Sequence, residues 1–193
     1  MKIIKRLNNN PNHFNGVNKC LYITVHETSN TNKGANAINH AKYLEYSQAT
    51  WHYTVDDVNI VQSFDDNIQC WHCGDGTGQG NRNSIGIEMC VNSDGNIYKT
   101  IDNTVELIRF LMIKHNIPIE NVVQHNHWSG KDCPKNIRRN YPISWKEFIN
   151  KIKTTKNYYS VQIGCFENKN NAENLKKELI EKGYTPIITI KKF

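Results

Sequence analysis

Leu21-Tyr22-Ile23-Thr24-Val25-His26 runs directly into Glu27-Thr28-Ser29-Asn30. The first five residues are apolar and β-rich, so a buried strand ends at His26 and a polar loop starts behind it. A second run of this kind, Val122-Val123-Gln124, closes on His125. Residues 84–90 read as a third buried strand, with Ile85, Ile87 and Met89 on one face and Glu88 on the other. A strand pair is predicted at 51–56 and 59–63, joined by a tight turn at Asp56-Asp57. Residues 75–83, rich in Gly, Asn and Asp, read as a loop.

Helical periodicity separates these strands. A helix is expected over about residues 35–46. Ile101, Val105, Ile108, Leu111 and Met112 mark a second, a core stripe ended by Pro118. Ser144-Trp145-Lys146-Glu147 is a capping box for a third, with Trp145, Phe148, Ile149 and Ile152 on one face. Strands alternating with helices predict an α/β domain, a mixed central sheet covered by helices on both faces.

His26, His125 and Cys133 supply two imidazoles and one thiolate. Cys133 follows His125 by eight positions within Trp128-Ser129-Gly130-Lys131-Asp132-Cys133-Pro134. That Gly- and Pro-punctuated loop can fold the thiol back toward the imidazole. Three such ligands suit Zn²⁺ and leave its fourth position for water or substrate, the arrangement of a catalytic rather than a structural site. Bound zinc lowers the pKa of its water to about 7 and polarises a carbonyl, which fits hydrolysis of an unactivated amide. Glu88, a carboxylate amid apolar neighbours, needs a partner to offset its burial. Either the water of such a site or a Lys or Arg would serve.

Ile23-Thr24-Val25-His26-Glu27-Thr28, Trp51-His52-Tyr53-Thr54-Val55-Asp56-Asp57, Cys70-Trp71-His72-Cys73-Gly74-Asp75-Gly76, Asn83-Ser84-Ile85-Gly86-Ile87-Glu88-Met89-Cys90 and the stretch from Gln124-His125 to Pro134 occur in that order. Together they resemble the type 2 N-acetylmuramoyl-L-alanine amidases, which include phage endolysins, T7-type lysozymes and peptidoglycan recognition proteins. The resemblance covers about residues 1 to 153. It implies that His26, His125 and Cys133 bind one zinc per chain, that Glu88 moves protons and that Lys131 stabilises the oxyanion. It also places His52 near the substrate and Trp71 and His72 along the peptide groove. His127, two residues past His125, competes as a ligand, but the His125-to-Cys133 spacing matches the family. The implied substrate is the peptidoglycan amide between the lactyl group of N-acetylmuramic acid and L-alanine. The implied role is that of a phage or prophage endolysin. A bacterial autolysin, or a wall-binding module without catalysis, is the alternative.

Composition narrows the field. At 193 residues the chain has room for one well-packed domain and a small appendage. Hydrophobic residues make up 38% and charged residues 22%, and no stretch approaches the roughly 18 apolar residues of a membrane span, so no membrane insertion is expected. Residues 1–10 lack an apolar segment long enough for a signal peptide. Synthesis in the host cytoplasm, with action on the wall after release, is therefore expected. Six cysteines are too few for a disulfide scaffold. Cys20, Cys90 and Cys165 read as buried apolar residues. Cys70-Trp71-His72-Cys73 lacks the second ligand pair of a zinc knuckle and reads as groove wall. The net charge of +6 comes from scattered residues without a recognition helix, so nucleic acid is not an expected partner. A modest positive charge suits an anionic cell wall.

Residues 153–157 read as a linker that divides a catalytic domain, 1–153, from a tail, 154–193. The tail reads as strand 158–163, helix 171–182 with Ala172, Leu175, Leu179 and Ile180 inward, Gly183, and strand 185–190. Val161-Gln162-Ile163-Gly164, the helix and Lys182-Gly183-Tyr184 are similar to the first half of a SPOR domain, a module that binds glycan strands lacking stem peptides. A half-module exposes a strand edge, which predicts either a weak homodimer through the tail or a disordered tail without glycan affinity.

Overall fold

The computed structural model describes residues 2–154 and 163–188. In chain order the elements are β1 (Ile3–Lys5), β2 (His13–Val17), β3 (Tyr22–Glu27), α1 (Ala37–Tyr43), β4 (Tyr53–Val55), β5 (Ile60–Gln62), β6 (Ile68–Cys70), α2 (Gln79–Asn83), β7 (Ser84–Met89), α3 (Ile97–His115), β8 (Val122–Gln124), α4 (Asn126–Ser129), α5 (Lys135–Arg138), α6 (Trp145–Lys153) and α7 (Lys169–Glu181). Six strands form one sheet in the order β1-β5-β4-β7-β3-β8, and β2 pairs with β6 in a separate ribbon. Within the large sheet only β4 and β5 run antiparallel.

Side chains alternate across a strand, and that alternation sorts this sheet into two faces. Ile23 and Val25 of β3 and Ile85, Ile87 and Met89 of β7 share one core with Ile101, Leu107, Ile108 and Leu111 of α3 and Phe148 and Ile152 of α6. Fully burying side chains of this size contributes about 1.5–3 kcal/mol each. Thr24, His26, Gly86 and Glu88 therefore face the other way. In β5, Ile60 joins the first core while its neighbour Val61 packs with Ala37 and Ala41 of α1. Helices accordingly cover both faces, and the mixed α/β sheet is as the sequence predicts.

Register then brings the site together. His26 pairs with Glu88 in the parallel β3–β7 ladder, and Val25 pairs with Gln124 in β3–β8. His125, one residue beyond β8, donates its N–H to the Val25 carbonyl at 3.2 Å. His26, Glu88 and His125 thus stand at the carboxyl ends of three adjacent parallel strands, where α/β sheets usually bind ligands.

Some sequence expectations shift. Glu27 is the last residue of β3 rather than the first of a loop. Residues 75–83 are not all loop: Asp75 accepts from the N–H groups of Gly80 and Asn81, at 2.7 and 3.2 Å, which supplies the negative charge a helix start favours and allows α2. α1 is shorter than expected. α3 extends to His115, where Asn116 in the left-handed region (φ 55°) ends it two residues before Pro118. The capping box of α6 is present, with Ser144 and Glu147 each accepting from the other's backbone N–H. Strands β1, β2 and β6 have no strong alternation to mark them in the sequence.

Contacts divide the chain into two compact units, residues 1–154 and 155–193. In the second, α7 runs from Lys169 to Glu181, with Ala172, Leu175 and Leu179 partly covered but Ile180 exposed. Cys165 is exposed, not buried, because it lies outside any packed element. Residues 185–188 are not in a strand; the rest of that expected strand, and residues 158–162 of the first, lie outside the described residues. Among the described residues no helix is long and apolar enough to cross a membrane.

Candidate metal centre

The ligand atoms of His26, His125 and Cys133 lie within 4.8 Å of one another, and all three residues are buried. Nδ1 of His26 is 2.9 Å from Nδ1 of His125. Two neutral imidazoles cannot point lone pairs at each other this closely without either a proton or a shared cation between them. Burial, with His72, His125 and Lys131 adding to it, pushes the His26 ring well below its ordinary pKa. Burial and Lys131 bring His125 down to about 4. Both rings are thus neutral at pH 7, the form that ligates metal. Burial, reinforced by Glu88, pushes the Cys133 thiol up to about 12, so only a bound cation would draw off its proton near neutral pH.

Glu88 faces the same space from the neighbouring strand. Its Oε2 is fully enclosed and has no hydrogen-bond partner. Burial raises the carboxyl to about 8, with the Lys131 ammonium pulling the other way and Glu27 adding to the rise. Lys131 itself is exposed.

What holds Cys133 in place is a residue the sequence reading passed over. The buried Glu27 carboxylate accepts from the N–H groups of Asn136 and Ile137, at 2.9 and 3.3 Å, and so grips the first turn of α5 just behind Cys133-Pro134. The Cys133 carbonyl accepts from Asn126 N–H at 3.1 Å, which closes the loop back onto α4. α4 is tied to the sheet in turn, as Trp128 Nε1 donates to Thr24 Oγ1 at 2.9 Å and Thr24 Oγ1 donates to Ser84 Oγ at 2.8 Å. An acidic residue directly after a strand-end histidine was the available signal.

A second cluster shares His26: its ligand atom, that of His72 and that of Cys73 also lie within 4.8 Å of one another. His72 Nδ1 is 2.9 Å from His26 Nε2 and 3.2 Å from Cys73 Sγ. His72 is only 6% exposed, so it lies beneath the site instead of lining a peptide groove. His52 is likewise inside the fold, with its Nδ1 accepting from Gly86 N–H and its Nε2 donating to the Ile68 carbonyl, each at 2.9 Å. With both nitrogens occupied by backbone, it joins β7 to β6 and does not reach a substrate. Trp71 does stay on the surface, 43% exposed and stacked on Phe14. Cys70 packs with Leu44, Trp51 and Phe64, apart from Cys73. His127 is exposed and rests edge-on against Trp128, outside both clusters.

A family model described as N-acetylmuramoyl-L-alanine amidase matches residues 16–136, and a SPOR domain model matches residues 155–192. The chain is similar to the N-acetylmuramoyl-L-alanine amidase XlyA of Bacillus subtilis (strain 168), with 53% identity over 119 residues, 61% of this chain and 40% of the relative. It is similar to CwlH of the same organism, with 47% identity over 137 residues, 69% of this chain and 53% of the relative. It thus spans about half the length, or less, of these curated relatives. Among solved structures, the catalytic domain of XlyA superposes with a TM-score of 0.74 at 44% identity, covering 79% of this chain and 99% of that one. The PlyG catalytic domain gives 0.72 at 37% identity, covering 82% and 100%.

Proposed function

The chain belongs to the N-acetylmuramoyl-L-alanine amidase family, and on that premise we propose that it hydrolyses the peptidoglycan amide between the lactyl group of N-acetylmuramic acid and L-alanine. The observation that carries this reading is the meeting of three metal-type donors, His26, His125 and Cys133, within 4.8 Å of one another, with the unpartnered Glu88 carboxylate on the neighbouring strand in register with His26. The family is zinc-dependent, and the donor set suits that ion. His26, His125 and Cys133 would hold it. When bound, the ion polarises a carbonyl and lowers the pKa of water.

This chain's own residues supply the proton traffic. Glu88 takes a proton from the attacking water and passes it to the leaving amine of L-alanine, a general base that becomes a general acid. A cation bound beside it lowers its raised pKa toward neutrality, where both halves of that role are available. Lys131 offers its ammonium to the oxyanion that develops at the scissile carbonyl. His52 and His72 contribute beneath the site, and Trp71 is the sole member of the expected groove set that stays available to the stem peptide.

We assign the chain an endolysin-type role, made in the host cytoplasm and reaching the wall after release. Residues 154–193 would add glycan affinity through effective concentration if they fold, with a weak homodimer through the tail as the route to folding. Mass spectrometry of purified cell wall after digestion tests the activity. New free L-alanine amino termini without new reducing ends are expected. A wall-binding module without catalysis would sediment with the wall and generate neither.

A further inference from the structure

His26 has a ring nitrogen at hydrogen-bonding distance on each side: Nδ1 faces His125 Nδ1 and Nε2 faces His72 Nδ1, both at 2.9 Å. A neutral imidazole carries one N–H, and a metal takes the nitrogen that lacks it. If the proton rested on Nδ1, the lone pair of His26 would lie on Nε2, facing His72 and away from its partners in the ligand set. If it rests on Nε2, it is donated to His72 and Nδ1 is left free toward His125 and Cys133. We propose that His72 is a positioning residue, whose Nδ1 accepts the Nε2–H of His26 and so fixes both the tautomer and the ring angle of that ligand. The inference rests on the His26, His125 and Cys133 set proposed above.

The surroundings of His72 are built to hold it there. Asn81, wholly buried, accepts the backbone N–H groups of His72 and Cys73 on one side-chain oxygen, at 2.8 and 2.7 Å. Asn81 Nδ2 donates to the Gly76 carbonyl at 2.8 Å, and Asp75 holds the N–H of Asn81, so the turn that carries His72 is fastened at both ends. Gly86 lies under the ring, and a Cβ at that position would come within 2.7 Å of His72 Nδ1. Only glycine lets the ring approach His26 so closely. The Ser84 backbone also acts on the His72 ring as a hydrogen-bond partner, which leaves Nδ1 to face His26. Cys73 Sγ lies close to His72 Nδ1, but its thiol also has Thr24 Oγ1 and Ser84 Oγ at 3.8 Å.

Outer hydrogen bonds of this kind change metal affinity by about 10- to 100-fold when removed. His72→Asn keeps an acceptor where Nδ1 stood, and His72→Leu keeps volume without one. Zinc affinity measured by chelator competition should fall about tenfold or more in His72→Leu and stay within a few-fold of wild type in His72→Asn. Equal losses in the two variants, or no loss in either, would overturn the positioning role. Long-range ¹⁵N–¹H spectra of the wild-type zinc form need no variant to fold, and they should show His26 protonated on Nε2; a proton on Nδ1 refutes the proposal. Two zinc ions per chain, one of them lost in Cys73→Ser, would overturn it by making His72 a ligand. Undiminished zinc binding in Cys133→Ser would instead overturn the ligand set beneath it.

Discussion

The donors at this site come from two kinds of backbone. His26 and Glu88 stand opposite each other in a parallel ladder, fixed by hydrogen bonds that the strands would make with any sequence. His125 and Cys133 sit just beyond β8 and in the loop after it, where no ladder reaches Cys133, and side chains do the holding: Glu27 on α5, Trp128 on Thr24, Asn126 on the Cys133 carbonyl. The ladder gives positions; the loop needs braces. Damage to the strand-borne Glu88, which is not a ligand, should thus act on chemistry, and damage to a ligand or a brace should act on metal retention and stability.

The sharpest break is Glu88→Gln, which keeps the shape of a strand residue while removing its proton. Turnover on purified wall should fall by about 10² to 10⁴ with zinc content and melting temperature unchanged. Near wild-type turnover would reduce Glu88 to a structural group. For the loop, Cys133→Ser replaces a thiolate with a poor ligand and should weaken zinc by more than the roughly 10- to 100-fold typical of an outer contact, as read by elemental analysis after dialysis against chelator.

Asp66 supplies a control away from both sets. This buried carboxylate accepts from Tyr53, Lys114 and His115 at 2.6, 2.6 and 2.7 Å. Burial by itself would raise its pKa, but His115, Lys114 and Tyr53 together outweigh that and hold it below the usual carboxylate range. Asp66 is therefore more acidic folded than unfolded. Its contribution is full above about pH 4, the unfolded value, and drains as pH falls toward the lower folded value. Asp66→Asn should lose about 2–3 kcal/mol at pH 7 in urea titrations, flatten the stability loss below pH 4, and leave zinc affinity unchanged. Weakened zinc in this variant would mean that the site senses global stability, and the strand–loop distinction would fail.

Glu27→Ala tests the brace directly. Two backbone N–H groups behind Cys133 would lose their acceptor, at about 1–3 kcal/mol, and zinc should dissociate faster even though no ligand has changed. The smallest effect is expected from removing residues 154–193, since every donor lies before them: hydrolysis of small soluble muropeptides should match the full chain. A large loss on those substrates would place part of the site in the tail.

Much of this was legible beforehand because periodicity and spacing are local properties of the chain. The apolar runs ending at His26 and His125, the alternation that turns Glu88 away from Ile85 and Ile87, the α3 stripe and the Ser144 capping box each depend on residues a few positions apart. β1 and β6 lie outside the apolar runs that mark the other short strands, and they form because a neighbour offers a paired edge.

The sequence by itself determined the layered α/β order and the stock of donor residues, since side-chain chemistry and short-range pattern suffice for both. Only the tertiary structure decided which histidines meet. The sequence resemblance sets His52 and His72 beside the substrate, yet β3–β7 register and the bare backbone of Gly86 bury both beneath the site. Glu27 became a brace in the same way, across more than a hundred residues of chain. Burial and hydrogen-bond partnership between distant segments arise from packing, and no local pattern encodes them.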